Sequence, residues 1–265
     1  MDFTDEQLER YARHIMLPEV GGVGQARLCR ARVLVVGAGG LGSPLLLYLA
    51  AAGVGTLGIV DPDIVDLSNL QRQVIHDGAM LGRLKVESAA ARIAALNPDV
   101  RVETHPVRLT AANAAALMAG YDLVADGTDN FAARFLINDA CFFARRTLVS
   151  AAILRFEGQL STFKPHRGAG HPCYRCLFPE PPPPGLVPTC AAGGVFGAVA
   201  GTVGSLQAIE VLKEILDLGE SLSGRLLLFD GLAASLRTIR VTSDPDCRLC
   251  GDHPTILTLS DQPAG

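Results

Sequence analysis

A short apolar, β-branched run, Arg32-Val-Leu-Val-Val36, ends directly in Gly37-Ala-Gly39-Gly40-Leu-Gly42, and residues 41–52 then carry a helical pattern that Gly53 stops. No other feature constrains the fold as strongly. A G-x-G-x-x-G string between a strand and a helix lets the backbone approach a phosphate, and the helix start offers unpaired N–H groups and the positive end of a dipole. The core must therefore open with a β-turn-α unit shaped for a nucleotide.

The same alternation continues along the chain. Strands are expected over 56–60, 100–104, 122–125 and 147–151, separated by helices over 83–96, 111–118 and 131–144. Strands alternating with helices give a mostly parallel sheet covered on both faces, an α/β, Rossmann-like architecture. Ahead of it, Thr4 and Gln7 form a capping box for an amphipathic helix over 4–16, with Arg10 and Arg13 off its apolar stripe; a glycine-rich linker should follow. Residues 155–164 read as extended, so the C-terminal half is expected to continue the sheet with antiparallel strands. Residues 179–188 hold a proline run that cannot be helix. The chain thus divides into an N-terminal helical segment (1–30), a nucleotide-binding region (31–152), a second region of the same domain (153–252) and a tail (253–265).

Composition excludes several classes. The 265 residues are 49% apolar with a net charge of −4 and no basic block, so a nucleic-acid partner is not expected. Asp2, Asp5 and Glu6 are wrong for a signal or transit peptide, which makes the cytoplasm the expected address and reduced cysteines the expected state. Residues 33–60 and 181–209 are uncharged and long enough to span a bilayer, but glycine and proline divide the first. The second carries Gly193, Gly197, Gly201 and Gly204 along one face, the mark of a closely packed helix and not a membrane span.

Asp61, at the end of the second strand, stands where a carboxylate can bond ribose hydroxyls. There is no Walker A lysine, because Gly42 is followed by Ser43-Pro44, so phosphate cations must come from elsewhere; Arg72 and Lys85 are the candidates, with solvated surface charge as the bland alternative. Asp126-Gly-Thr-Asp129-Asn130 closes the fourth strand. Asp129 is the expected Mg²⁺ ligand there, although Asp129 and Asn130 could simply cap the next helix. Cys173-x-x-Cys176 and Cys247-x-x-Cys250 suit one structural Zn²⁺ site better than thioredoxin-like redox chemistry. Cys29 and Cys141 read as helix filler, as a lone Cys190 would.

Gly37–Gly42, then Ser68-Asn69-Leu70-Gln71-Arg72-Gln73, then Gly127-Thr128-Asp129-Asn130, then the paired Cys-x-x-Cys motifs run in order over about 8–250. Together they resemble the MoeB/ThiF family of adenylyltransferases, relatives of the ubiquitin-activating enzymes. The resemblance implies an ATP site built from Gly40, Asp61, Asn69, Arg72, Lys85, Asp129 and Asn130, with Mg²⁺ on Asp129. It implies adenylation of the Gly-Gly carboxylate of a small ubiquitin-like sulfur-carrier protein, for molybdopterin- or thiamine-type sulfur transfer. It further implies a homodimer in which Arg13 reaches the partner subunit's ATP site. In some relatives a cysteine placed like Cys190 bonds covalently to the carrier, while others work without it, and both readings stay open. Residues 155–164 and 179–190 would hold the carrier's tail. No sulfurtransferase-like extension follows Cys250, so a separate sulfur donor is expected. A Rossmann dehydrogenase would leave Arg72, Lys85 and the cysteines unexplained, and a non-catalytic scaffold would not need Arg72, Lys85 and Asp129 together.

Overall fold

The computed structural model describes residues 2–168, 170–183 and 193–262. Among these, eight strands form one sheet in the order β3-β2-β1-β4-β5-β6-β7-β8. Strands β1 (Arg32–Val36), β2 (Thr56–Val60), β3 (Arg101–His105), β4 (Leu123–Asp126) and β5 (Thr147–Leu154) are parallel. Strands β6 (Glu157–Phe163), β7 (Arg225–Asp230) and β8 (Ser235–Arg240) add on antiparallel. The expected mixed sheet is therefore present. The chain steps outward from β1 through β2 to β3, then returns to β4 on the other side. The C-terminal ends of β1 and β4 thus flank a topological switch point, with Val36 opposite Asp126.

Alternation along β1 explains the two layers. Val33 and Val35 face one core with Leu45, Leu46 and Leu49 of α3 (Gly42–Ala51), Val86 and Ile93 of α4 (Lys85–Leu96), and Val203 and Val211 of a long helix, Gly197–Leu216. Leu34 and Val36 face the opposite core with Met118 of α5 (Ala111–Ala119) and Phe135 and Ile137 of α6 (Phe131–Ala144). Both faces are covered, so β1 from Val33 and β2 from Leu57 can run without a polar side chain.

The N-terminal helix α1 (Asp5–Ile15) starts on the Thr4–Gln7 capping box, and Tyr11 anchors it by accepting a 2.9 Å hydrogen bond from Asn97 Nδ2. The glycine-rich linker is corrected: residues Gly21–Arg30 form a helix, α2. Its propensity is poor, but Gln25, Ala26 and Leu28 are buried and Arg27 donates to the backbone oxygens of Ile215 and Leu216. Tertiary packing outweighs local preference here.

Beyond β5 the chain turns at Arg155, whose φ is +54°, and returns as β6, so the extended region is a tight hairpin. After the one-turn helix α7 (Tyr174–Leu177) the long helix is α8. Its small residues serve close packing: a Cβ on Gly197 would lie 2.4 Å from the Gln71 carbonyl oxygen, and one on Gly204 2.5 Å from that of Leu41. Gln207 on α8 donates to the carbonyls of Asp126 and Val149 at 2.8 and 3.0 Å, tying the helix to β4 and β5. Among the described residues no helix is long and apolar enough to cross a membrane. Residues 184–192, which include the second half of the proline run and Cys190, lie outside the described residues.

Candidate active site

A cleft of about 460 Å³ opens at the switch point. Its floor is the glycine turn. Gly37 takes φ +97°, a conformation costly for other residues, and a Cβ on Gly42 would stand 2.0 Å from the Gly37 carbonyl oxygen. Ala38 between them is held from both sides. Its N–H donates to Asp61 Oδ2 at 2.8 Å, and its carbonyl accepts from His76 Nε2 at 2.9 Å. That bond requires a protonated Nε2, and in the neutral ring, which burial favours, Nδ1 accepts from the Ser88 hydroxyl at 2.8 Å. Asp61 also accepts from the Asp63 N–H at 2.9 Å and is only 6% exposed. Burial raises its pKa, opposed chiefly by the charge of Lys85.

His76 makes the turn's stability depend on pH. Burial lowers its pKa from the ordinary 6.5, opposed chiefly by the hydrogen bond to the Ala38 carbonyl, with the nearby Lys85 charge adding to the effect and Asp61 and Asp77 opposing it. The unfolded chain takes up a proton near pH 6.5 while the folded one does not, so this contribution is complete above 6.5 and is lost as pH falls through the lowered value. The raised pKa values of Asp61 and Asp126 work oppositely, above the ordinary 3.8. Comparison with His76→Gln, whose amide can make both hydrogen bonds, isolates the imidazole. Urea unfolding across pH should show a flatter stability curve just below 6.5 for the variant; equal slopes would contradict this assignment.

Among the described residues four basic side chains line the cleft, Arg72, Lys85, Arg108 and Arg134, and the first two are those the sequence singles out. Lys85, the first residue of α4, is 6% exposed and pairs with Asp63 Oδ2 at 2.9 Å. Arg72 follows a 3₁₀ turn (Leu67–Asn69) that Asp66 caps through the Ser68 N–H, and Arg72 Nη1 donates to the Ser68 carbonyl at 3.0 Å. The arginine stem runs beside Gly40, where a Cβ would meet Arg72 Cδ at 3.6 Å and Ala200 at 3.3 Å. Opposite, Asn130 caps α6 by accepting the Ala133 N–H at 2.9 Å. Asp129 makes no capping bond; its carboxylate is exposed at the cleft, with Asn130 Nδ2 at 3.5 Å. Asp126 is fully buried and accepts from the Thr128 N–H and hydroxyl and from Ser150, which makes it a brace for the β4 loop. Its burial raises its pKa.

Gly37, Gly39, Gly40, Asp61, Arg72, Lys85, Asp129 and Asn130 line one cleft. Gly42, Ser68, Asn69, Leu70 and Gln71 do not, and instead shape the glycine turn and the 3₁₀ turn behind Arg72. Arg13 lies on the exposed side of α1, outside the cleft, and makes no hydrogen bond or ion pair among the described residues. Sequence reasoning passed over Asp63, Gln73, Arg134 and Asp261, all of which line the cleft. Gln73 stood inside the motif that singled out Arg72, and Asp63 lies five residues before it. Arg134 Nε and Gln73 Oε1 are buried without a hydrogen-bond partner, polar groups that a ligand could satisfy. Arg134 sits one helical turn beyond Asn130; Asp261, far along the chain, carried no signal.

The cysteine pairs meet. Cys173 Sγ lies 3.6 Å from Cys247, 3.9 Å from Cys176 and 3.3 Å from Cys250, and Cys176 lies 3.4 Å from Cys250. All four sulfurs fall within 4.8 Å of one another. A tetrahedral zinc with arms of about 2.3 Å has sulfur–sulfur edges of about 3.8 Å, so the cluster fits that ion. Between the first two cysteines, buried Arg175 forms a bidentate pair with Asp139 of α6 at 2.7 and 2.8 Å and stacks over Phe135. The knuckle is thereby locked to α6, the helix that Asn130 caps just after Asp129.

Strand order and a ligand cleft at its reversal place this chain among the doubly wound nucleotide-binding proteins. Within that class the sequence matches the ThiF family over residues 11–249, and the chain belongs to that family. It is 52% identical to the sulfur carrier protein adenylyltransferase of Thermus thermophilus, covering 100% of this chain and 98% of that one. It is 55% identical to the adenylyltransferase and sulfurtransferase MOCS3 of Bos taurus, covering 97% of this chain and 56% of that one, so it spans only part of MOCS3. Among solved structures, E. coli MccB with MccA-N7isoASN superposes with a TM-score of 0.80 at 20% identity, over 92% of this chain and 75% of that one, a likeness of fold.

Proposed function

We propose that the chain adenylates the C-terminal glycine carboxylate of a small ubiquitin-like sulfur-carrier protein ending in Gly-Gly, consuming ATP and releasing pyrophosphate, in the cytoplasm. The observation that carries this is the convergence of Arg72, Lys85 and Asp129 on a dinucleotide-type cleft. A hydride-transfer site does not need Arg72, Lys85 and an exposed carboxylate together beside the nucleotide, whereas a Mg²⁺-bound triphosphate does. The family, and a relative named for this activity at 52% identity over nearly its whole length, supply the substrate class.

A carboxylate is a poor acyl donor because its leaving group would be oxide. Joined to AMP it becomes a mixed anhydride with a good one. The carrier's terminal carboxylate is already ionised, so it attacks the α-phosphorus in line with no side-chain base. Its negative oxygen forms the new P–O bond as the bond to pyrophosphate breaks. Arg72 and Lys85 are positioned to stabilise charge gathering on the phosphate oxygens, and the N–H groups of the glycine turn hold the chain of phosphates in register. Asp63 keeps Lys85 aimed at the cleft until the triphosphate competes for it. Asp129 would hold Mg²⁺, whose charge offsets that of the departing pyrophosphate. Ile153 at the end of β5 and Val195 also line the cleft, and Arg155 N–H bonds the Gly194 carbonyl. The carrier's extended tail enters along this β5–β6 wall. Cys190 takes no step in this scheme, and a separate donor protein supplies the sulfur. The four cysteines hold structural Zn²⁺.

Incubating protein, Mg·ATP and a Gly-Gly carrier should yield a carrier heavier by one adenylyl group, read by intact mass; no adduct with any carrier would overturn the proposal. We place Arg13 at the partner subunit's site in a homodimer, since α1 presents it away from its own cleft. Arg13→Ala and Arg72→Ala should each be inactive alone. Mixed as subunits, they should recover about a quarter of the activity, because half the dimers are hybrids with one intact site. No recovery in verified hybrids would contradict supply in trans.

A further inference from the structure

The tail leaves the cysteine knuckle along a fixed path. Thr255 and Ile256 donate their N–H groups to the Arg248 carbonyl at 2.9 and 2.8 Å, and Ile256 packs on the cysteine cluster. Leu259 then packs against the core between the sheet and α5 and α6, where Leu109 and Phe131 also lie. Two residues on, Asp261 Oδ1 accepts the N–H of Ala111, the first residue of α5, at 2.8 Å. Asp261 and Gln262 line the cleft together with residues 107–110. No protein group among the described residues bonds the second carboxylate oxygen of Asp261.

This end of the cleft is where a base belongs. The glycine turn, Arg72, Lys85 and Asp129 gather the phosphates, and Asp61 marks the ribose. The loop after β3 adjoins Asp61, whose N–H donates to the His105 carbonyl at 3.2 Å. Val107, Leu109, Ala133 and Leu136 give the cleft apolar surface suited to a flat purine.

We propose that residues 259–262 form the outer wall of the base end and that Asp261 selects adenine. The inference rests on the reading of the cleft as an ATP site. With Oδ1 fixed by Ala111, Oδ2 accepts from the exocyclic amino group of adenine and repels the carbonyl oxygen that guanine carries at the same position.

The test is titration calorimetry of the full chain with Mg·ATP and with Mg·GTP. In Asp261→Asn the side-chain oxygen stays on Ala111 and a donor replaces Oδ2. The ATP Kd should rise roughly three- to tenfold, about the worth of one hydrogen bond, while the GTP Kd stays level or falls. Equal shifts for both nucleotides, or no shift, would overturn the selection by Asp261. A chain ending at Thr258, which keeps Ile256 on the knuckle, should bind ATP more weakly by a similar factor; unchanged affinity would overturn the wall. Failure of the unaltered chain to bind either nucleotide would instead remove the ATP reading beneath it.

Discussion

Asp129→Ala should lower carrier-dependent adenylation by about 10²–10³-fold while leaving the fold intact. Both halves follow from its position. The carboxylate is exposed, caps nothing, and has only a 3.5 Å contact with Asn130, so its removal leaves no buried group unpaired. Asn130 keeps capping α6, and Asp126 keeps bracing the loop. Stability should therefore stay within about 0.5 kcal/mol, the usual range for surface substitutions. What is lost is a free carboxylate at the glycine-turn end of the cleft, able to hold Mg²⁺ against the pyrophosphate; Asp61 is buried and doubly hydrogen-bonded, Asp63 is paired with Lys85, and Asp261 lies with residues 107–110. Single-turnover adenylation and thermal melting of the same preparation check the two halves. Wild-type turnover in the variant would remove Asp129 from the mechanism.

Replacing Cys173 with Ser should have the largest effect on stability. The cluster joins two segments with little regular structure of their own, one before the proline region and one after β8. In a zinc-bound protein the metal's binding energy is folding energy for those segments, so losing a ligand costs several kcal/mol. For a chain of this size that corresponds to a drop in melting temperature of about 10 °C or more. Zinc content by elemental analysis should fall from one per chain to none. Asp139→Asn probes the neighbouring lock separately: it leaves the sulfurs in place but strips the charge from a buried bidentate pair with Arg175, destabilising by roughly 3–5 kcal/mol with zinc retained. Retained zinc in Cys173→Ser, or an unshifted melt, would contradict the structural role.

Most of the α/β core was legible because each element announced itself locally. The run 32–36, the glycine string, the Asn97-Pro98 stop and the Thr4 capping box each settle a boundary by short-range chemistry. Helix α2 was not legible: Gly21, Gly22 and Gly24 argue against a helix, and only the carbonyls at the far end of α8 and burial of Gln25 and Leu28 make one. The extended stretch at 155–164 was legible, but the positive φ that turns the chain at Arg155 carried no glycine signal, and β7 joins the sheet by pairing with β6 about 70 residues away, which no local pattern encodes. Within the site, contiguous motifs singled out Arg72, Lys85 and Asp129, which the fold brings to one cleft. The same motifs could not separate the residues that face the cleft from Ser68, Asn69, Leu70 and Gln71, which support from behind. His76 and Asp261 were hidden for a different reason. Each works through a backbone group, Ala38 and Ala111, that lies far away in sequence.

Pyrophosphate-for-ATP exchange tests the central claim most directly, using purified protein, Mg²⁺ and each small Gly-Gly-ending carrier from the same genome. Adenylation with reversible release of pyrophosphate predicts exchange that requires one particular carrier and disappears when that carrier's terminal glycine is removed. Absence of exchange with every carrier, alongside saturable binding of NADH in the same cleft, would contradict the account and identify a dehydrogenase instead.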